Sequence, residues 1–119
     1  MALSSHQVRI ARVVTVPEAL GRIHEIVDEQ YEKPHLILLD LALPFGDGLD
    51  VLRAVRSSRL LDDVPVVVLT GSESEEDRDL CLIGGCDEFI IKPADSTDLA
   101  EVVARLCDRF LYRREAMPA

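Results

Sequence analysis

The chain has 119 residues, room for one domain with one core, and its 48% hydrophobic and 29% charged residues exclude a disordered composition. A formal net charge of −9, with Arg113-Arg114 as the only basic cluster, argues against nucleic acid as a partner, because phosphate neutralisation needs a basic face. No apolar run approaches the roughly 20 residues of a membrane span, and Met1 to Gln7 is polar with no signal-peptide core, so a cytoplasmic protein without membrane contact is expected.

Val8 to Val14 predicts a partly solvated strand, in which Val8 and Ile10 alternate with Arg9. Thr15-Val16-Pro17-Glu18 predicts a helix start, with Thr15 as cap, Glu18 reaching back and Pro17 in the first turn. Leu20, Ile23, Val27 and Tyr31 continue at helical spacing until Lys33-Pro34, where a proline pushes its predecessor out of the helical region. His35 to Leu41 is almost continuously apolar and predicts a parallel strand buried on both faces. After a loop over Pro44 to Gly48, the stripe Leu49, Leu52, Val55 predicts a helix running to about Leu61.

Val64 to Thr70, rich in β-branched residues, predicts a second buried strand. Ser72-Glu73-Ser74-Glu75 has the form of a capping box, and the acidic run that follows suits a helix N-terminus. Gly84-Gly85 stops that helix. Glu88 to Ile91 predicts a short strand ended by Lys92-Pro93. Asp95 or Ser96 caps a last amphipathic helix with the stripe Leu99, Val102, Val103, Leu106, Phe110. The expected architecture is α/β, a three-layer parallel sheet of about four strands and four helices with right-handed crossovers.

Cys81, Cys86 and Cys107 are odd in number and form no Cys-x-x-Cys pair, so small buried thiols are expected rather than disulfides or a zinc site. His6, His24 and His35 show no metal-binding spacing. The chemistry lies at the strand ends. Asp40, Thr70 and Lys92 close three successive strands, and a parallel sheet brings all three to its carboxyl edge, where such folds bind ligands. An acid, a hydroxyl and an ammonium meeting between apolar walls are each costly unless paired.

These segments carry a resemblance. Leu36-Ile37-Leu38-Leu39-Asp40-Leu41-Ala42-Leu43-Pro44 with Asp47-Gly48 resembles the phosphoacceptor segment of the response-regulator receiver domains, a flavodoxin-like fold. Val66-Val67-Val68-Leu69-Thr70-Gly71 resembles that family's switch-hydroxyl strand, and Phe89-Ile90-Ile91-Lys92-Pro93 its lysine-proline strand. The separations match as well, and the resemblance covers about residues 8 to 113. It implies that Asp40 accepts a phosphoryl group, that Lys92 neutralises it, and that the Thr70 hydroxyl binds a phosphate oxygen. It implies also that Phe89 moves inward as a switch aromatic and that Pro93 fixes the lysine, through a cis bond as in the family. Ordinary core packing is the alternative for Phe89. The implied Mg2+ would be held by Asp40 and the backbone carbonyl of Ala42.

The resemblance departs from the family upstream. Glu18-Ala19-Leu20 matches the family's second helix, so Val8 to Val14 matches its second strand. The chain is therefore expected to be a single receiver domain over residues 1–119, shortened by the first strand, the first helix and the acidic pair that completes the Mg2+ site. Asp47 and Asp50 read as loop and helix-start residues. Three helices would then share one sheet face and the last helix would take the other. Part of that other face would be left bare, which predicts a homodimer or a tight partner complex.

The resulting functional expectation is a stand-alone regulator, not an enzyme, that takes or modulates phosphoryl groups from a histidine kinase or another phosphorelay protein. The alternative is a pseudo-receiver that docks on such a partner without being phosphorylated. A phosphatase of the haloacid-dehalogenase type would need a second Asp two residues after the nucleophile, and that position is Ala42.

Overall fold

A computed structural model of the protein describes residues 13–112, and within it two units, Val13–Lys92 and residues 93–112, are treated separately. Of the strand expected over Val8 to Val14, residues 8–12 lie outside the described residues, and Val13 and Val14 are not in a strand.

The first helix, α1 (Val16–Val27), starts where its cap dictates. The Thr15 hydroxyl accepts from the Glu18 backbone N–H at 3.1 Å, and Pro17 lies in the first turn. Glu18 reaches back one residue further than a capping box requires, to the N–H of Val14 at 2.6 Å. The helix ends earlier than the proline at 34 would impose, and Tyr31 lies beyond it. Glu29 takes a left-handed φ of 63°, its N–H donates to Ile26 O at 3.0 Å, and the Gln30 N–H donates to Glu25 O at 2.8 Å. This is a Schellman ending built without glycine.

Three parallel strands, β1 (Ile37–Asp40), β2 (Val66–Thr70) and β3 (Glu88–Ile91), are ordered β1-β2-β3. Ile37 pairs with Val66, Asp40 with Leu69, Leu69 with Ile90 and Thr70 with Ile91. Between them run α2 (Gly48–Arg56), a 3-10 turn over Arg59–Leu61, and α3 (Glu75–Ile83). Alternate strand residues point to one side. There Leu39, Val66 and Val68 share a core with Val16, Ala19, Ile23 and Ile26 of α1, Val51, Leu52 and Val55 of α2, and Cys81 of α3. The first three helices therefore lie on one sheet face, as the right-handed crossover rule requires.

The strand expected to be buried on both faces is not. Leu38, pointing away from that core, is 37% exposed, because β1 is an outer strand of the three described while β2 between its neighbours is buried throughout. The helix expected to reach Leu61 stops at Arg56, and the remaining residues form the 3-10 turn. The cap of α3 is Ser74, whose hydroxyl accepts from the Asp77 N–H at 3.3 Å, and not Ser72. In residues 93–112, α4 (Ser96–Cys107) is capped by Asp95, and its stripe is half-buried at Leu99, Val102 and Val103 and buried at Leu106. Among the described residues no helix is long and apolar enough to cross a membrane.

All three cysteines are free, and Cys81 and Cys86 are buried. Burial pushes the Cys81 thiol from an ordinary 9.0 up to about 11. Above pH 9 the unfolded chain loses this proton while the folded chain keeps it, so stability falls as pH rises from 9 towards 11. At roughly 1.4 kcal/mol per pKa unit the loss should reach about 2–3 kcal/mol. Urea midpoints at pH 8 and pH 10.5 should show it, and the fall should shrink in Cys81→Ala.

Candidate functional site

β1 and β2 end in a polar residue and β3 is followed by one, because the apolar run that buries each strand stops there. Asp40 is the last residue of β1, and one carboxylate oxygen turns back to accept from the Ala42 N–H at 2.9 Å. The chain can turn this sharply because Gly48 opens α2 directly against it. A Cβ on Gly48 would stand 2.7 Å from Leu41 Cα and 2.9 Å from Leu41 O, contacts with backbone that cannot yield cheaply. This explains the Asp47-Gly48 step: Asp47 caps α2 by accepting from the Leu49 N–H at 2.9 Å, and Gly48 lets the helix approach. Gly48→Ala should destabilise the fold by about 1–3 kcal/mol, as overpacking against a fixed backbone does. A lowered urea midpoint would show it.

Lys92 follows β3, and its backbone N–H extends the ladder by donating to Thr70 O at 2.7 Å. From there its ammonium crosses β2 and donates to the second carboxylate oxygen of Asp40 in an ion pair. Strands about 4.8 Å apart place β1 and β3 roughly 10 Å from each other, a span that an extended lysine can bridge. The two side chains are 33% and 31% exposed, so the pair is open to an incoming group. Thr70 ends β2 between them and is 3% exposed, and its hydroxyl accepts from the Ser72 N–H at 3.1 Å.

The sheet thus brings Asp40 and Lys92 into contact and sets Thr70 on the strand between them. Phe89 pairs in register with Val68, and its ring packs against the core under the sheet, so in this structure it fills a core position. The peptide bond before Pro93 is trans: no cis bond occurs among the described residues, contrary to the expectation from the family. The ladder bond from Lys92 to Thr70 already fixes the lysine backbone.

For a magnesium ion, the described donors are the Asp40 carboxylate and the Ala42 carbonyl. No group of three or more His, Cys, Asp or Glu suited to a metal occurs among the described residues. Magnesium binds through one or two carboxylates and keeps several waters. The described residues fit part of such a site. Residues 1–12, which lie outside the described residues, contain no Asp or Glu that could stand for the acidic pair of the family's first strand.

Sequence reading missed two features. One is the guanidinium of Arg56, which holds the opposite end of β2. The other is the bond from the Ser72 hydroxyl to Asp77 Oδ2 at 2.7 Å beside Thr70. Neither has a motif, because each depends on pairs brought together by the fold or by a loop.

The family model for the response regulator receiver domain matches residues 2–104. The chain is 34% identical over 79 residues to the two-component response regulator ORR3 of Oryza sativa subsp. indica, an alignment that covers 66% of this chain and 57% of that protein. The chain thus spans a little over half the length of that curated relative. Its fold is similar to that of the phosphorylated cyanobacterial phytochrome response regulator RcpA, with a TM-score of 0.79 and 31% identity over 87% of this chain and 74% of the other. It is similar also to the receiver domain of the sensor histidine kinase PA1611 from Pseudomonas aeruginosa PAO1, with a TM-score of 0.67, 27% identity and coverage of 91% and 80%. That receiver was crystallised with a magnesium ion coordinated in its active site cleft. The phosphorylation-independent docking reading finds no support in these comparisons.

Proposed function

Because the chain belongs to the response regulator receiver domain family, we propose that Asp40 accepts a phosphoryl group from a phosphohistidine of a histidine kinase or another phosphorelay protein. The protein acts as an acceptor and not as a turnover enzyme, and it works in the cytoplasm. The observation that carries this reading is the Lys92 ammonium seated on the Asp40 carboxylate at the carboxyl edge of the sheet.

An anionic carboxylate oxygen of Asp40 attacks phosphorus, an Oδ–P bond forms, and the P–N bond to the donor imidazole breaks. The imidazole keeps the electron pair and takes a proton from water. Asp40 becomes a neutral acyl group carrying a charged phosphate. Lys92, relieved of the carboxylate charge, turns its ammonium towards the phosphoryl oxygens and pairs with them, as a compact cation on a flexible stem can. The Thr70 hydroxyl rotates to donate to a phosphate oxygen. A bound divalent cation would neutralise further phosphoryl charge, held by Asp40 and the Ala42 carbonyl with water in its other positions.

An acyl phosphate is reduced by borohydride to the alcohol, which converts a phosphorylated Asp40 to homoserine. Treatment with acetyl phosphate followed by borohydride should place homoserine at residue 40 in a peptide mass map. Homoserine at another aspartate, with Asp40 intact, would overturn the assignment.

A further inference from the structure

The connection from β2 to α3 contains hydrogen bonds that phosphoryl transfer itself does not use. The Ser72 backbone N–H donates to the Thr70 hydroxyl oxygen at 3.1 Å, and the Ser72 hydroxyl donates to Asp77 Oδ2 at 2.7 Å. The same hydroxyl oxygen accepts from the Ser74 N–H at 3.2 Å, while the Ser74 hydroxyl accepts from the Asp77 N–H. One residue, Ser72, is thereby tied through its backbone to the strand-end hydroxyl and through its side chain to the first turn of α3. The acidic first turn of α3, Glu75, Glu76 and Asp77, is explained by the helix dipole. The Asp77 carboxylate, three residues after the Ser74 cap, reaches back as a capping-box residue does, but it meets the Ser72 hydroxyl in place of the N–H of the cap.

We propose that Ser72 and Asp77 form a latch that keeps the Thr70 hydroxyl engaged with the loop and opens when a phosphoryl group arrives on Asp40. The inference rests on the reading of Asp40 as acceptor. It makes both residues positioning residues for Thr70. The Thr70 backbone is fixed in the ladder, since its carbonyl holds the Lys92 N–H. On this proposal its hydroxyl turns about χ1 towards a phosphate on Asp40, which would break the bond from Ser72. The loop would have to shift to find that N–H another acceptor, and the charge-assisted bond to Asp77 opposes the shift. The latch therefore weighs against the phosphorylated form, and its removal favours that form.

The test uses the full chain and beryllofluoride with Mg2+ as the phosphoryl mimic, with affinity measured by calorimetric titration. Ser72→Ala and Asp77→Ala should each bind beryllofluoride about tenfold more tightly than wild type, a factor equal to about 1.4 kcal/mol and within reach of one hydrogen bond to a charged group. The double variant should gain no more than either single one, because the two residues share one bond. In a Thr70→Val background, Ser72→Ala should change nothing, and this separates a latch on Thr70 from general loosening of the loop. Unchanged or weaker binding in both single variants, or an undiminished gain in the Thr70→Val background, would overturn the latch alone. A folded wild type that binds no beryllofluoride would remove the acceptor reading, and the latch with it.

Discussion

Lys92→Met should slow phosphoryl transfer from acetyl phosphate to Asp40 by about 100-fold or more, the usual result of deleting a cation aimed at charge that develops in the transition state. The ammonium sits on the attacking carboxylate before reaction, and no other cation is hydrogen-bonded to it among the described residues. Stability should change little. Both partners are about one-third exposed, and ion pairs of that exposure contribute on the order of 1 kcal/mol or less. Lys92→Arg should recover only part of the rate, since a planar guanidinium does not fit the position of a compact ammonium. A rate measured by quench and intact mass, beside a thermal melt, checks both halves. A Lys92→Met protein that reacts at the wild-type rate would mean that the ion pair has no part in the chemistry.

Arg56→Met should have the opposite profile, with a large loss of stability and little change in the phosphoryl-transfer rate of the folded fraction. The Arg56 guanidinium donates to Gly85 O at 2.7 Å, to Leu61 O and Val64 O at 3.0 Å, and to Asp87 Oδ2 at 3.0 Å. Asp87 in turn accepts from the Val66 N–H at 2.8 Å, so the cluster fixes the amino ends of β2 and β3, away from Asp40. Its side chain is 19% exposed. Deleting it leaves several partly buried carbonyls without their donor, each costing on the order of 1 kcal/mol, for a total of about 3 kcal/mol. That is a large part of the roughly 5–15 kcal/mol that holds a small domain folded. Arg56→Lys should restore less than half, because one ammonium cannot serve this spread of acceptors. Urea midpoints of the three proteins decide the matter.

The functional edge was legible because its signal is local. An apolar run that ends in Asp40, Thr70 or Lys92 marks both a strand and its end, and parallel pairing does the rest. The fold class followed from the same alternation. Helix ends were less legible. Glu29 ends α1 in a left-handed conformation that glutamate does not advertise, so the proline at 34 looked like the terminator. Two serines stand two residues apart before α3. Choosing Ser74 over Ser72 depends on the loop, where Ser72 is already engaged with Asp77. The exposure of Leu38 depends on sheet order, which a run of leucines does not encode. Arg56 belongs to no motif, and its four partners come from two stretches of chain far from it in sequence or beyond the helix end, Leu61 with Val64 and Gly85 with Asp87.

Whether Asp40 takes the phosphoryl group can be read from intact mass. The full chain is incubated with acetyl phosphate, with and without Mg2+, next to Asp40→Asn. One phosphoryl adduct is expected on the wild type and none on Asp40→Asn. An adduct of equal yield on Asp40→Asn, or a folded wild type that takes no phosphoryl group under either condition, would contradict this expectation.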